Sequence, residues 1–300
     1  MVRLFVSQEY QYLSLLKRIL KTGVKEEGRN GTTYSQIGGM MRFSLKNNKI
    51  PLMTTKKLAW RVCLKELLWF INGDTNNELL QRENVNIWNG NATREFLDSR
   101  GLNYLSENDL GPVYGHQWRF WNAPYSKEYG CFEDYRGKGI DQLQNIIDDI
   151  NISKQTGETS RRLIMTAWNP EQIDEMALPP CHVLSQFHIT EGNKLSCTLY
   201  QRSADMGLGV PFNIASYSFL THMLAKHCDL EAKEFIHFLG NAHIYDDHIE
   251  SLKEQIKKEP YESPKLYIKN KKDDIEDYNI TDFEIKDYKY HSQIKMKMRV

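Results

Sequence analysis

The run Cys181-His182-Val183-Leu184-Ser185-Gln186-Phe187-His188-Ile189-Thr190-Glu191-Gly192-Asn193-Lys194-Leu195-Ser196-Cys197-Thr198-Leu199-Tyr200-Gln201-Arg202 decides the fold. Two strand-like stretches, Val183 to Thr190 and Lys194 to Arg202, flank the turn Glu191-Gly192-Asn193. Leu195, Cys197 and Leu199 alternate with polar neighbours, the period of a half-buried strand, so the run predicts an antiparallel hairpin. Pro179-Pro180 disfavours helix ahead of it and pins the backbone where Cys181 enters. The hairpin has the length to return Arg202 to the side of Cys181. A thiol beside a permanent cation ionises nearer neutral pH, and the thiolate is the nucleophile. Adjacent strand residues point to opposite faces, which argues against a hydrolase dyad of Cys181 with His182.

Working outward, Gly207-Leu208-Gly209 lacks the third glycine and the following helix of a dinucleotide fingerprint and reads as a turn. The segment from Met206 to Ala225 carries no charge, but its glycines, Pro211, Asn213, hydroxyl residues and His222 make it a loop entering a buried core helix, Phe212 to His227, rather than a membrane span. Apolar periodicity predicts helices over Ser7 to Thr22, Leu58 to Asn72, Ile140 to Asn151 and Asp247 to Lys258. Strands are predicted over Met40 to Leu45, Leu163 to Trp168 and Glu234 to Tyr245, with short strands after Lys265. Lys25 to Gly39 reads as a polar, Gly-rich loop, and Glu83 to Gly111 as loop with a short helix. No repeat or linker interrupts the chain. One α/β (α+β) domain over residues 1–300 is expected, with a large mixed sheet flanked by helices.

With 40% hydrophobic and 26% charged residues, the chain can bury a substantial core. Its formal net charge of +0 argues against a general affinity for nucleic acid or membrane. Five cysteines without a CxxC argue against zinc and against a disulfide framework, and fit a cytoplasmic or nuclear compartment. The apolar run in Met1-Val2-Arg3-Leu4-Phe5-Val6 is too short for a signal peptide.

Several residues stand out against their plain readings. Glu66 lies on the apolar face of a helix, where an unpaired carboxylate is costly; it is either a structural ion pair or a proton-transfer group whose pKa burial raises. Arg161-Arg162 is either a solvated rim pair or part of an anion site. Arg29, in Gly28-Arg29-Asn30-Gly31, sits where a loop could close on an anion. Four guanidiniums with Arg202 would make a dianion cage, because each fork grips phosphate oxygens with two hydrogen bonds. Asn213 reads either as a helix N-cap or as an amide matching a uracil edge. His243 and Tyr245 share one strand face.

The blocks Glu66-Leu67-Leu68-Trp69-Phe70-Ile71, Gly111-Pro112-Val113-Tyr114-Gly115, Ala167-Trp168-Asn169-Pro170, Leu178-Pro179-Pro180-Cys181-His182, Gln201 to Asn213 and Ala242-His243-Ile244-Tyr245 resemble, in order, those of the thymidylate synthases. The similarity runs from about Tyr10 to Val300. It implies reductive methylation of dUMP to dTMP with 5,10-methylenetetrahydrofolate as one-carbon and hydride donor. No metal and no NAD are implied.

By the resemblance, Cys181 is the nucleophile at uracil C6. Glu66 organises protons around the base, Tyr114 helps remove the C5 proton, and Arg202 binds phosphate and activates the thiol. Arg29, His182, Gln201, Ser203, Ala204, Asp205, Asn213, His243, Ile244 and Tyr245 would complete the dUMP site. Arg161 and Arg162 would come from the other subunit of a sheet-to-sheet homodimer. Ile87, Trp88, Asn91, Asp205, Leu208, Gly209, Phe212 and Arg299 would form the folate pocket, and Arg299-Val300 a terminus that closes over it. Weak messenger-RNA binding is also implied, although the neutral charge speaks against RNA as the main ligand.

Some positions depart from the family pattern: Gly38 for Phe, Asn89, Ser160 and Asn241 for Asp, Ala204 for Gly, and Arg299 for a small residue. If position 204 requires a positive φ, its methyl would be strained. Two rivals remain, a deoxycytidylate hydroxymethylase on the same scaffold, which Asn213 disfavours, and a catalytically silent RNA-binding dimer.

Overall fold

The computed structural model describes residues 7–299; the Met1–Val6 run and Val300 lie outside the described residues. Along the chain the elements are α1 (Tyr10–Thr22), β1 (Val24–Gly28), β2 (Gly31–Ser44), α2 (Trp60–Ile71), α3 (Asn77–Arg82), α4 (Arg94–Ser99), α5 (Tyr114–Arg119) and α6 (Gln142–Thr156). Then come β3 (Ile164–Thr166), β4 (His182–Thr190), β5 (Lys194–Asp205), α7 (Gly209–His227), β6 (Glu231–Tyr245), α8 (Ile249–Gln255), β7 (Lys265–Ile268) and β8 (Phe283–Lys286). Six strands form one sheet in the order β1-β2-β6-β5-β4-β3, and β7 and β8 pair separately. All neighbours in the large sheet are antiparallel except β5 and β6, which are parallel.

The β4–β5 hairpin closes at Thr190↔Lys194, with the predicted pairing of Leu195 opposite Ile189 and Cys197 opposite Phe187. One face of the sheet is dry. Leu195, Cys197, Leu199, Phe187, Phe235 and Phe43 are all at most 1% exposed. Helix α7 packs on that side against β5 and β6 and is buried along nearly its whole length, as an uncharged helix must be. It also packs against α2, so α2 and the sheet enclose the same core.

Three expectations are corrected. Lys25 to Gly39 is a hairpin, not a loop. Gly28↔Gly31 flank the two-residue turn Arg29-Asn30, and β2 runs on from Gly31 through the glycines. The turn residues Gly28-Arg29-Asn30-Gly31, followed by the β-branched Thr32-Thr33, are hairpin chemistry that outweighs glycine content. The 247–258 helix is a 3-10 turn at Asp246–His248 followed by α8, and β3 covers only three residues of its expected run. Gly38 adopts φ +78, a conformation in which Phe would be strained, whereas Ala204 is not among the residues at positive φ and carries no such cost. Gly240 is required by close approach. A Cβ there would meet the carbonyl oxygen of Arg202 at 2.7 Å.

Candidate active site

The carboxyl ends of the parallel pair make the floor of a cavity of about 870 Å³. Ser203 pairs with Asn241 and Asp205 with His243, so alternate residues Gln201, Ser203, Asp205, Asn241, His243 and Tyr245 line it together. Their neighbours Ala204 and Ile244, expected at the nucleotide, are fully buried and outside that lining. Period two puts them on the other side of their strands. The β1–β2 turn brings Arg29 to the rim, and Ile87, Trp88, Asn91, Tyr114, Cys181, His182, Arg202, Gly209 and Asn213 complete the wall.

Cys181 and Arg202 do meet. The Arg202 backbone N–H donates to the Cys181 carbonyl (2.9 Å). Its Nε and Nη2 donate to the carbonyls of Pro180 and Pro179 (2.8 and 2.9 Å), and its guanidinium lies 5.3 Å from the Trp168 ring centroid. The diproline therefore fixes the arginine as well as the cysteine. Cys181 is partly exposed, unlike Cys63, Cys197 and Cys228. The expectation that Arg202 brings the thiol near neutrality is not met in this single chain. Burial pushes the Cys181 thiol up from its ordinary value, and outweighs the downward pull of Arg202 and Arg29.

Glu66 projects from α2 and is 9% exposed. Burial raises its carboxyl to about 7 against the opposing hydrogen bond from Trp88, whose Nε1 donates to Oε1 at 2.8 Å. No ion pair accounts for it among the described residues. A carboxyl that titrates near neutrality is suited to moving protons. Tyr114 is held at both ends. Its hydroxyl oxygen accepts from the Cys181 N–H (2.7 Å), and its ring stacks on His182 at 3.9 Å. His182 is bonded to the Tyr217 hydroxyl (2.8 Å), and burial lowers it to about 3, so it stays neutral and is not a base for Cys181.

Asn213 is not an N-cap. Helix α7 begins at Gly209, directly after the Gly207-Leu208 turn, which places Asn213 inside the helix and on the cavity wall. The capping is done by Asp205, whose carboxylate accepts the N–H groups of Gly207, Leu208 and Gly209 (2.8, 3.2 and 3.3 Å). Leu208 and Phe212, expected in the folate pocket, are partly buried and lie outside the lining. Arg161 and Arg162 are exposed ahead of the edge strand β3 and also lie outside it.

Two lining or supporting residues, Arg100 and Lys56, escaped sequence reasoning, and a third, Asn241, stood out in the sequence only as a departure from the family pattern. Arg100, at the C-terminal end of α4, lines the cavity with a buried Nε that has no partner. Asn241 bonds His243 Nδ1 (3.1 Å). Lys56, buried and lowered to about 8 by desolvation against the pull of Asp205 and Glu9, donates from Nζ to the Gly207 carbonyl and so braces the turn from behind. Its neighbours Thr55 and Lys57 give no signal of burial, and lysines are seldom buried without a partner.

The residues fit a nucleotide and a folate. Arg29 and Arg202 offer cations to a phosphate, and Asn213 offers an amide to a base edge. Trp88 and Ile87 give a flat apolar wall, and the buried Asn91 Nδ2 has no acceptor among the described residues. Among the described residues no cluster of His, Cys, Asp or Glu could hold a metal ion, and no helix is long and apolar enough to cross a membrane.

Comparison with known proteins agrees with this geometry. The family model of thymidylate synthase matches residues 10–300. Thymidylate synthase of Saccharomyces cerevisiae is 52% identical over 303 residues, covering 98% of this chain and 97% of the yeast protein. The bifunctional dihydrofolate reductase-thymidylate synthases of Leishmania major and Plasmodium berghei are 50% and 51% identical, covering 98% and 97% of this chain. The chain spans only 55% and 48% of those two proteins. A cysteine braced by two prolines and an arginine paired to its backbone stand at one cavity, a neutralisable glutamate lies behind its Trp88 wall, and the match runs across nearly the whole chain: this chain belongs to the thymidylate synthase family.

Proposed function

We propose that this protein converts dUMP and 5,10-methylenetetrahydrofolate to dTMP and dihydrofolate, with the chemistry centred on Cys181. The observation that carries this is Cys181 at a cavity wall with Arg202 paired to its backbone, Tyr114 on the same wall, and Glu66 bonded to the lining Trp88 from behind. The Cys181 sulfur forms a bond to uracil C6 as the 5,6 π pair moves toward O4, and polar groups already in place stabilise that charge. Asn213 is the reader of the uracil edge, and Arg29 and Arg202 take the phosphate. Tyr114 assists loss of the C5 proton, and Glu66, bonded through Trp88 to the folate wall, manages protons near O4. The folate supplies the methylene carbon and the hydride, so no nicotinamide is needed. Release of the sulfur as thiolate restores the 5,6 double bond. Five free cysteines suit a reducing compartment such as the cytosol or nucleus.

A second subunit would finish the site. Met40, Phe238 and Tyr200 lie in one cross-strand row, and are 52%, 43% and 45% exposed on the uncovered face of the sheet. Ile37 on β2 and Ile164 on the edge strand β3 are also exposed. Such an apolar sheet face is suited to a second copy of the same chain. That copy would supply Arg161 and Arg162 to the phosphate, adding to the pull on the Cys181 thiol.

The activity test is dihydrofolate absorbance with both substrates, and tritium release comparing dUMP with dCMP. Preference for dCMP would favour hydroxymethylation; absent dihydrofolate would favour a silent binding dimer. For the dimer, Phe238→Asp is expected to give a monomer by light scattering and to lose about 10²–10⁴ in kcat/KM, since two charged phosphate contacts are worth roughly 1.5–3 kcal/mol each. Mixing an inactive Arg162→Ala variant with an inactive Cys181→Ala variant should restore activity. No recovery despite demonstrated subunit exchange would count against shared sites.

A further inference from the structure

The segment ending at the last described residue is strapped at three places to the 3-10 turn and α8 that follow β6. The Ser251 hydroxyl donates to the Lys295 carbonyl (3.4 Å), and His248 Nε2 donates to the Lys297 carbonyl (2.7 Å). Arg299 Nη2 then reaches Asp247 Oδ2 at 2.9 Å and Asp246 Oδ1 at 3.3 Å, with its guanidinium 5.8 Å from the Tyr245 ring centroid. Met298 and Arg299 line the cavity, and the Arg299 guanidinium also lies beside Gly31, at the base of the turn that carries Arg29.

Nη2 of the guanidinium is thus committed to two carboxylates of its own chain, while its buried Nε has no hydrogen-bond partner among the described residues. A contact from Nη2 to an anionic ligand would have to break those pairs, so the pairs give Arg299 a role within its own chain beside the expected folate contact. The aspartates stand immediately after the cavity residues His243 and Tyr245, so the pairs tie the tail to the strand end that forms the floor. The salt bridge is partly exposed, at 28% for Arg299, 48% for Asp246 and 35% for Asp247, and is therefore open to screening by salt.

We propose that Arg299 is a positioning residue: through Asp246 and Asp247 it sets the 294–299 segment across the cavity mouth before the folate substrate arrives, with His248 as the second anchor. The functional consequence rests on the thymidylate synthase activity proposed above, while the strap itself does not. The strap lowers the ordering cost that the folate would otherwise bear on closing the site.

Hydrogen exchange of the 290–299 amides in the ligand-free, full-length protein tests the strap directly. Arg299→Ala and the double variant Asp246→Asn/Asp247→Asn are each expected to speed exchange about fivefold, the scale of a partly exposed two-carboxylate pair. Combining them should add nothing, and about 0.5 M salt should bring the wild type toward the variants. The swap Arg299→Asp with Asp247→Arg should recover protection relative to Arg299→Asp alone. In kinetics, Arg299→Ala should raise KM for methylenetetrahydrofolate about fivefold with a smaller change in kcat and in KM for dUMP. Unchanged exchange in Arg299→Ala, or no recovery in the swap, would overturn the strap. Faster exchange with an unchanged folate KM would overturn its positioning role. Faster exchange in a protein whose wild type turns over no dUMP would leave the strap standing and remove the activity instead.

Discussion

Cys181→Ser abolishes turnover, with kcat lower by on the order of 10⁴–10⁶, the cost typical of deleting a covalent nucleophile. The serine hydroxyl is far less acidic than a thiol, and Arg202 and Arg29 cannot compensate where burial already disfavours the anion. Nucleotide binding survives, because the cations, Asn213 and the β5–β6 floor are untouched. Isothermal titration with dUMP beside a steady-state assay separates the two effects. Full activity in the variant would remove Cys181 from the mechanism. Loss of binding together with turnover would show instead that the sulfur is a packing group.

Glu66→Gln gives the second large effect, a fall in kcat on the order of 10²–10⁴, the usual weight of a positioned acid-base group. It also changes the pH dependence of stability, and the sign follows from burial. The folded carboxyl titrates at about 7, above its ordinary value of 4.5, so the charged form is the one disfavoured by folding. Stability contributed by the neutral group is fully present below 4.5 and is lost as pH rises through 7. By pH 8 the loss amounts to roughly 3 kcal/mol relative to pH 4. Glutamine cannot ionise, so the variant gains on the wild type across that window in urea melts. Parallel wild-type and variant stability curves from pH 4 to 8 would place Glu66 in an ion pair rather than in a dry pocket. A kcat within threefold of wild type would deny it a role in proton transfer.

Long periodic elements were the legible ones. Helix α6 buries the residues its spacing predicts, Leu143, Ile146, Ile147 and Ile150, whereas of the expected α1 face, Tyr10, Leu13, Leu16 and Leu20, only Leu13 and Leu16 are fully buried. The β4–β5 hairpin, with its alternating Leu195, Cys197 and Leu199, fixed where Arg202 returns, and the meeting of Arg202 with Cys181 follows from that register alone. What stayed hidden depends on contacts distant in sequence or on short pieces. Helices α3 and α5 have six residues each, too few to show a period. The β1–β2 hairpin was masked by its glycines.

Within the site, Ala204 and Ile244 share motifs with true lining residues but occupy the alternate strand positions. Asn213 resembled a cap because the real cap, Asp205, reaches forward across the Gly207-Leu208-Gly209 turn. Arg100 and Lys56 are single cations with no spacing partner, and only the folded chain brings one to the wall and the other beneath the turn. The thiol's ionisation was misjudged for a related reason. Proximity to a cation is readable from a hairpin, but the desolvation opposing it is set by everything packed around the sulfur.

Covalent attachment through Cys181 is tested most directly by trapping it. A dUMP analogue whose C5 substituent cannot leave as a cation, added with methylenetetrahydrofolate and quenched in denaturant, should leave the nucleotide and the folate both attached to the protein. Intact-mass measurement followed by peptide mapping is predicted to find that mass on Cys181 and on none of Cys63, Cys131, Cys197 and Cys228. An unmodified chain under conditions of full turnover, or an adduct on any other residue, would contradict it.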